Sequence, residues 1–143
     1  MMYKKVYLIK SDTDYAMRML VYLAMNSKEE PVIATVLSKT QKIPIHFAYK
    51  ILQKLNRSKI VKSFKGPRGG FSLAKGIQQI TLLDVMEAVQ GPLVIRPCLL
   101  DDAACPVRPS CPITTRLRKL QKSIMESMQH LTLAEILRAK RGY

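Results

Sequence analysis

Apolar residues recur every three or four positions along most of this chain, which is the spacing of one face of an α-helix. The pattern predicts helices over 11–26, 81–92, 112–131 and 132–140. Two shorter helices, separated by a break at "KIP", are predicted after the first one. Their apolar faces consist of Ile33, Val36 and Leu37 and of Phe47, Ile51, Leu52 and Leu55. The runs 59–64 and 71–75 alternate instead, and the turn "KGPRGG" between them indicates a β-hairpin.

These elements predict a fold that is mainly α with a small β-hairpin wing. Two short helices joined by a tight turn form a helix-turn-helix, and a hairpin directly after it forms a wing. We therefore expect a winged helix-turn-helix DNA-binding region over 1–80. The remainder, 81–143, is expected to hold a cysteine loop and a long C-terminal dimerisation helix, and the whole is expected to form one intertwined domain.

Local signals place the ends of several helices. Ser11 and Asp14 fit the Ser-x-x-acid capping box at the start of the first helix. Pro44 suits the first turn of the second short helix, because its missing N–H needs no partner there. Thr81 is the expected N-cap of the helix over 81–92, with Asp84 three residues later.

The helix over 112–131 carries an apolar seam close to a heptad pattern. Its members are Ile113, Leu117, Leu120, Ile124, Met128 and Leu131. On a long helix near the C-terminus of a small protein, this seam predicts a homodimer interface. The alternative is that the seam packs onto the core of its own domain.

Charge is concentrated in the N-terminal half of the chain. The sequence carries a formal net charge of +14, and residues 1–75 hold 15 basic and 4 acidic side chains, against 9 and 6 in the remainder. A basic module joined to a nearly balanced one indicates polyanion binding by the first half and partner binding by the second. Ordinary solubility charge is the alternative explanation.

The sequence favours neither a membrane protein nor an enzyme. Charged residues interrupt every apolar run well before 18 residues, and the run "VYLI" is too short for a signal peptide, so we expect a cytoplasmic protein. The sequence has no phosphate-binding glycine loop, no paired catalytic carboxylates and no hydrolase motif. Its two histidines fall in separate predicted helices.

Double-stranded DNA is the predicted partner of the basic half. The second helix of a helix-turn-helix lies in the major groove, where its N-terminal residues reach base edges. Here the candidates are Pro44, Ile45, His46, Phe47, Tyr49 and Lys50, with Lys54 and Arg57 further along. Phe47 is equally a candidate core residue, and His46 is equally an ordinary exposed one. At the tip of the wing, Lys65 and Arg68 are predicted to meet a phosphate or the minor groove.

All three cysteines, Cys98, Cys105 and Cys111, lie in the loop "CLLDDAACPVRPSC". Thiols stay reduced in the cytoplasm, so an odd number of them indicates metal ligation or redox chemistry rather than a disulfide framework. Structural zinc sites use shorter Cys-x-x-Cys spacings, whereas wider gaps suit an iron–sulfur cluster. Redox-active thiols and a zinc site remain the alternatives on spacing alone.

Several motifs resemble one known family. The segments "TDYAMRMLVYLA", "KGPRGGFSLAK", "DVMEAVQGP" and "LTLAEIL", together with three cysteines before a long helix, resemble the IscR/NsrR-type family of bacterial winged-helix iron–sulfur transcriptional regulators. The resemblance covers nearly the whole chain. It implies a homodimer with crossing long helices, a palindromic DNA operator, and a cluster, 2Fe-2S or 4Fe-4S, ligated by the three loop cysteines.

The chain departs from that family at two points. Its first cysteine gap is six residues, where many cluster-bearing relatives have five, and Thr114 stands where some relatives have a histidine ligand. The resemblance of "TDYAMR" to a segment whose aspartate reaches the partner's cluster implies Asp14 as the fourth ligand. The capping box is the competing role for Asp14. Asp101 and Asp102 are weaker candidates.

The sequence thus predicts a DNA-binding transcriptional regulator whose operator affinity is controlled by an iron–sulfur cluster that senses nitric oxide, redox state or iron supply. One alternative is a cluster-free winged-helix repressor of the cysteine-metabolism regulator type, which acts through thiols or a partner enzyme. A less favoured alternative is a small iron–sulfur carrier whose basic half binds an acidic partner.

Overall fold

The helix-turn-helix and its wing follow the first helix, as the sequence predicts. The computed structural model describes residues 5–27, 29–100, 105–107 and 110–140. Within those residues, six α-helices and one two-stranded sheet follow in chain order: α1 (Ser11–Asn26), α2 (Ala34–Gln41), α3 (Ile45–Arg57), β1 (Val61–Phe64), β2 (Gly70–Leu73), α4 (Leu82–Gln90), α5 (Pro112–His130) and α6 (Leu133–Lys140). This arrangement confirms the predicted fold class.

Two groups of buried side chains hold these elements together. The larger one, here called the first core, draws on α1, α2, α3, α4 and α6; among its members are Leu20, Leu37, Ile51, Leu52, Val89 and Leu133. The second core lies between α4 and α5, and its buried members are Leu82, Leu83, Met86, Leu93 and Met128. Because α4 contributes to both cores, it connects the helix-turn-helix to the long helix.

The buried face of the helix-turn-helix differs in part from the predicted one. Phe47 is 45% exposed and Ile33 is 49% exposed, so their assignment to the apolar faces is wrong. The neighbouring alanines Ala34 and Ala48 are buried instead. One residue along a helix is a rotation of about 100°, which is enough to move a side chain from the core face toward solvent.

Helix caps depend on contacts that only the folded chain provides. The capping box predicted at Ser11 and Asp14 is wrong, because α1 begins one residue earlier than that motif requires. Lys10 is the N-cap and has no side-chain cap bond, and its carbonyl accepts from the N–H groups of Thr13 and Asp14. The capping box of Thr81 and Asp84 is confirmed, with both hydrogen bonds present at 3.1 and 3.2 Å.

Pro44 lies one position outside the helix that it was predicted to open. It is the N-cap residue of α3, and the turn from α2 consists of Lys42, Ile43 and Pro44. Lys42 takes a left-handed conformation with φ 53°, and the Ile43 N–H donates to the carbonyl of Ser38. This tight turn sets the angle between α2 and α3.

The wing is fixed to the body by backbone pairing. Strands β1 and β2 pair antiparallel from Val61 opposite Leu73 to Phe64 opposite Gly70. Val32 and Phe71 also exchange two backbone hydrogen bonds, of 2.9 and 2.8 Å. Gly70 is required there, since its φ is 144° and a Cβ atom would lie 2.7 Å from the Val32 carbonyl carbon. The hairpin therefore leaves the body at a defined position.

The last two helices close the structure. Thr81 and Thr132 form an isolated bridge, and the Leu133 N–H donates to the carbonyl of Ile80 over 2.8 Å. These bonds return α6 to the first core, where Leu133 is fully buried. None of the helices in the described part of the chain is long and apolar enough to cross a bilayer.

Candidate DNA-binding surface and cysteine loop

The outer side of α3 carries most of the predicted base-reading residues. Pro44, His46, Phe47, Tyr49 and Lys50 are all exposed, while the opposite side of the helix packs into the first core. The surface combines donors, a cation and two aromatic rings at the N-terminal end of the second helix. These are the groups that contact base edges and thymine methyl groups in a major groove.

Lys54 has a different environment from the other candidates on α3. Its side chain is partly buried, and its Nζ donates a hydrogen bond of 2.9 Å to the carbonyl of Val89 in α4. The sequence predicted that Lys54 contacts DNA, whereas in the structure its ammonium bonds within the chain.

The wing carries a row of exposed cations. Lys65 and Arg68 lie in the turn between β1 and β2, as predicted, and both are exposed. The sequence argument missed Lys62, whose Nζ lies 5.5 Å from the centre of the exposed Phe64 ring. Strand alternation could have identified Lys62, because residues two apart, such as Lys62 and Phe64, lie on the same face of a strand.

The three cysteines lie between α4 and α5. Cys98 is in a short 3-10 turn (Pro97–Leu99), Cys105 is in the loop, and Cys111 immediately precedes α5. All three are free thiols and all are half-buried. Thiols that are neither fully buried nor fully exposed are accessible to a ligand and partly screened from water.

Thr114 connects two of the cysteines. The Cys98 Sγ lies 4.0 Å from the Thr114 Oγ1, and Thr114 is only 6% exposed. Interactions of the Cys111 sulfur with the backbone N–H and then the hydroxyl of Thr114, followed by the backbone N–H of Ile113, lower the pKa of the Cys111 thiol from its ordinary 9.0. Cys111 makes no regular side-chain cap bond. It nevertheless occupies the N-terminus of a 19-residue helix, where the dipole favours a thiolate.

The donor set fits an iron–sulfur cluster in its chemistry. Three free thiols, one of them with a lowered pKa, are the ligands that such clusters take. Among the residues described, however, no three Cys, His, Asp or Glu side chains converge around a single metal ion. A bound cluster would require all three thiols to contact it.

Asp14 lies on the first turn of α1 and is free of the cap role. Its carboxylate Oδ2 lies 3.4 Å from the Nε of Arg18, one helical turn later, and its side chain is 59% exposed. Arg18 also lies over the ring of Tyr15, 5.0 Å from its centre. The Asp14 carboxylate is thus accessible at the surface of α1. Asp101 and Asp102 lie outside the described residues.

A side chain of α5 holds the start of the cysteine loop. The Ile95 N–H donates to the Gln121 Oε1 over 3.1 Å, and Leu93 is buried in the second core. Sequence reasoning did not single out Gln121, because no local pattern connects residues 26 positions apart. The loop is therefore tied to α5 before it reaches Cys98.

The apolar seam of α5 is divided between two environments. Met128 is 6% exposed and Ile124 packs against the second core, so these two seam residues belong to the chain's own interior, whereas Leu131, the C-cap of α5, is 40% exposed. Toward the N-terminus, Ile113 is 63% exposed and Leu120 is 52% exposed, with Leu117 half-buried between them. The exposed part leaves an apolar stripe on the long helix.

A helix-turn-helix, a cationic hairpin and a long helix that follows them define a winged-helix DNA-binding protein. The Rrf2 model, described as "Iron-dependent Transcriptional regulator", matches residues 9–139. The chain belongs to the Rrf2 family of transcriptional regulators. This confirms the resemblance on which the sequence prediction relied.

Individual relatives support the same fold over nearly the whole chain. The protein aau3 of Rhizobium meliloti is 29% identical over 92% of this chain and 86% of its own length. Among solved structures, T. potens IscR matches with a TM-score of 0.72 at 22% identity, over 92% of this chain and 87% of that one. The structure of CymR, the global cysteine regulator of B. subtilis, matches with a TM-score of 0.68 at 18% identity, over 92% and 96%. At these identities the two structural likenesses are likenesses of fold.

Proposed function

We propose that this Rrf2-family regulator binds a palindromic duplex as a homodimer and that an iron–sulfur cluster controls its affinity for that operator. Cys98, Cys105 and Cys111 would hold the cluster. The observation that carries the proposal is the placement of three free, half-buried thiols in one loop, the last of them at the N-terminus of α5 with a lowered pKa.

The DNA-binding part of the proposal rests on two surfaces. The exposed side of α3 would enter the major groove through His46, Tyr49 and Lys50. The wing cations Lys65 and Arg68 would contact phosphates or the adjacent minor groove. Since a homodimer presents both surfaces twice, the operator would be a palindrome whose half-site spacing is set by the dimer.

The dimer would form along the exposed part of the α5 seam. Ile113, Leu117 and Leu120 leave an apolar stripe that no element in the described part of the chain covers fully. A second copy of the helix, which carries the same stripe, is the partner that a two-fold axis provides. Asp14 of the partner subunit would then complete the ligand set as an oxygen donor.

When bound, the cluster would supply a centre that responds to nitric oxide, redox state or iron supply. The chain's own part is to present three thiolates and to connect the loop to α5. Thr114 favours the thiolate form of Cys111 and also lies beside Cys98. The bond between Ile95 and Gln121 would carry a change in the loop to the helix that would join the two subunits.

A second candidate function is a cluster-free regulator in which the same thiols act as a redox switch. Two observations favour it. Among the described residues the donors do not converge around one metal ion, and the fold is shared with CymR, the global cysteine regulator of B. subtilis. In that case the lowered pKa of the Cys111 thiol would make it the reactive member of the group.

A DNA-binding titration distinguishes the two functions. The duplex is selected from a random pool with the purified protein, and fluorescence anisotropy gives its affinity for cluster-loaded and cluster-free protein. The proposal expects the affinities to differ and expects Cys105→Ala to behave as cluster-free protein under all conditions. Equal affinities of loaded and unloaded wild-type protein would reject control by a cluster.

A further inference from the structure

The C-terminal end of α4 contacts both α3, the second helix of the helix-turn-helix and here called the recognition helix, and α1. Val89 and Gln90, the last two residues of α4, each bond to a different element. Gly91 follows them with φ 97°, a conformation that favours glycine, and the chain then enters the segment that leads to Cys98. We call this end of α4 the α4 junction and define it as Val89, Gln90 and Gly91. At the junction, α4 contacts α3 and α1 and leads into the segment before Cys98.

The contact to the recognition helix is a charged hydrogen bond. The Lys54 Nζ donates over 2.9 Å to the Val89 carbonyl, across 35 residues of sequence. The last carbonyls of a helix have no partner within it and carry the negative end of its dipole. A partly buried ammonium is therefore well matched to this carbonyl, and it holds α3 against the end of α4 near the base-reading surface.

The contact to α1 is made by one amide side chain. The Gln90 Oε1 accepts from the Lys10 N–H at 2.8 Å and from the Thr13 hydroxyl at 2.5 Å. The Gln90 Nε2 donates to the Leu8 carbonyl at 3.1 Å. Thr13 is completely buried and immediately precedes Asp14. Gln90 thus fixes the turn of α1 that carries the proposed partner ligand.

We propose that Lys54 is a positioning residue: its bond to Val89 transmits the state of the cysteine loop to the recognition helix through the α4 junction. A rearrangement of the loop acts on Gly91 and displaces the Val89 carbonyl. The ammonium of Lys54 then loses its partner, and α3 is no longer held in one orientation against α4. The inference rests on the proposed control of DNA binding by the cysteine loop.

The matched pair of variants is Lys54→Met and Lys50→Met. Each removes one positive charge from α3 and keeps an unbranched side chain, but Lys54 bonds to α4, while Lys50 is exposed on the outer side of α3. The quantity compared is the ratio of operator affinities between cluster-loaded and cluster-free protein. Where no cluster assembles in wild-type protein, the ratio is taken between reduced and oxidised thiols instead.

We expect Lys50→Met to weaken both states equally and to leave the ratio unchanged. Coupled sites typically change affinity by about 5–150-fold, and we expect Lys54→Met to bring the ratio within about twofold of one. Lys54→Arg, which still donates to the carbonyl, should keep most of the ratio. A Lys54→Met protein that keeps the full wild-type ratio would overturn the inference. A wild-type protein that assembles no cluster would instead overturn the proposed function.

Hydrogen exchange tests the same contact without DNA or cluster. In cluster-free protein, Lys54→Met should speed exchange at the Gly91 amide, which bonds to the Glu87 carbonyl at 3.2 Å, and Lys50→Met should not. Thermal unfolding shows that each variant is folded, and Lys54→Ala, which also lacks a side-chain donor, replaces Lys54→Met if the latter does not fold. Unchanged exchange at Gly91 in a folded Lys54→Met protein would also overturn the inference.

Discussion

The thiol of Cys98 lies 4.0 Å from the hydroxyl of Thr114, which is a buried residue on the first turn of α5. The same threonine lowers the pKa of the Cys111 thiol through its backbone N–H and its hydroxyl. Thr114 therefore contacts the first cysteine of the loop and lowers the pKa of the last one. The family resemblance implies that some relatives have a histidine ligand at this position. In this chain the residue there is Thr114, which contacts the Cys98 thiol and lowers the pKa of the Cys111 thiol.

Alkylation of Cys111 should follow its lowered pKa. The thiolate is the reactive form, so the rate in cluster-free protein should reach half its maximum at a pH below 9.0, the ordinary value for a thiol. Thr114→Val removes the hydroxyl and keeps the backbone N–H, so the pH of half-maximal alkylation should rise part of the way toward 9.0. Peptide mass spectrometry of iodoacetamide-treated protein across pH measures it. Thr114→Ser should retain the wild-type midpoint, and a Thr114→Val midpoint equal to wild type would exclude a role for the hydroxyl.

Removal of the Asp14 carboxylate should make the cluster more labile and leave the cluster-free fold intact. The Asp14 side chain is 59% exposed, and i,i+4 ion pairs such as that with Arg18 stabilise a helix by only about 0.2–0.5 kcal/mol. Asp14→Ala should therefore shorten the lifetime of the visible absorption in air while the unfolding midpoint of cluster-free protein hardly changes. Asp12→Ala, on the same helical turn, is the control. Equal lifetimes for Asp14→Ala and wild type would remove Asp14 from the ligand set.

Neutralising the wing should weaken DNA binding with a characteristic salt dependence. Each cation that contacts a phosphate releases counterions, so Lys65→Ala or Arg68→Ala should lower affinity for all duplexes and reduce the slope of log affinity against log salt by about 1. Lys122→Ala, an exposed lysine on α5 paired with Glu126, provides the control. A slope unchanged by both wing variants would indicate that the hairpin does not reach the phosphates.

The two parts of the α5 seam should respond differently to truncation. Met128→Ala removes a buried side chain from the second core and should lower the free energy of unfolding by about 2–5 kcal/mol. Leu120→Ser alters an exposed residue of the apolar stripe and should shift the protein from dimer to monomer. Urea unfolding and analytical ultracentrifugation measure the two effects. Wild-type sedimentation by the Leu120→Ser protein would place the dimer interface elsewhere.

The sequence could predict whatever depends on neighbouring residues. Helical periodicity located α1, α4 and α5, and the Thr81–Asp84 capping box marked the start of α4, because these signals involve residues a few positions apart. The hairpin was equally accessible, since glycines between two alternating runs determine it locally. The family resemblance then predicted how these elements are arranged in the complete fold.

Contacts between distant elements could not be predicted in this way. Periodicity cannot reveal that Lys54 bonds to Val89 rather than facing solvent, or that Gln90 bonds to residues 77 to 82 positions away. Those tertiary bonds also decided the start of α1, where Lys10 replaced the expected cap. For the same reason, the spacing of the cysteines indicated their chemistry but not their arrangement around a ligand.

The most direct test of control by a cluster is the composition of protein purified without oxygen. We expect visible absorption together with bound iron and inorganic sulfide, all three absent from Cys98→Ala, Cys105→Ala and Cys111→Ala proteins purified in parallel. We further expect that removing the iron changes affinity for the selected duplex. Colourless wild-type protein that binds DNA and takes up no iron or sulfide on anaerobic reconstitution would contradict the proposal and favour the thiol switch.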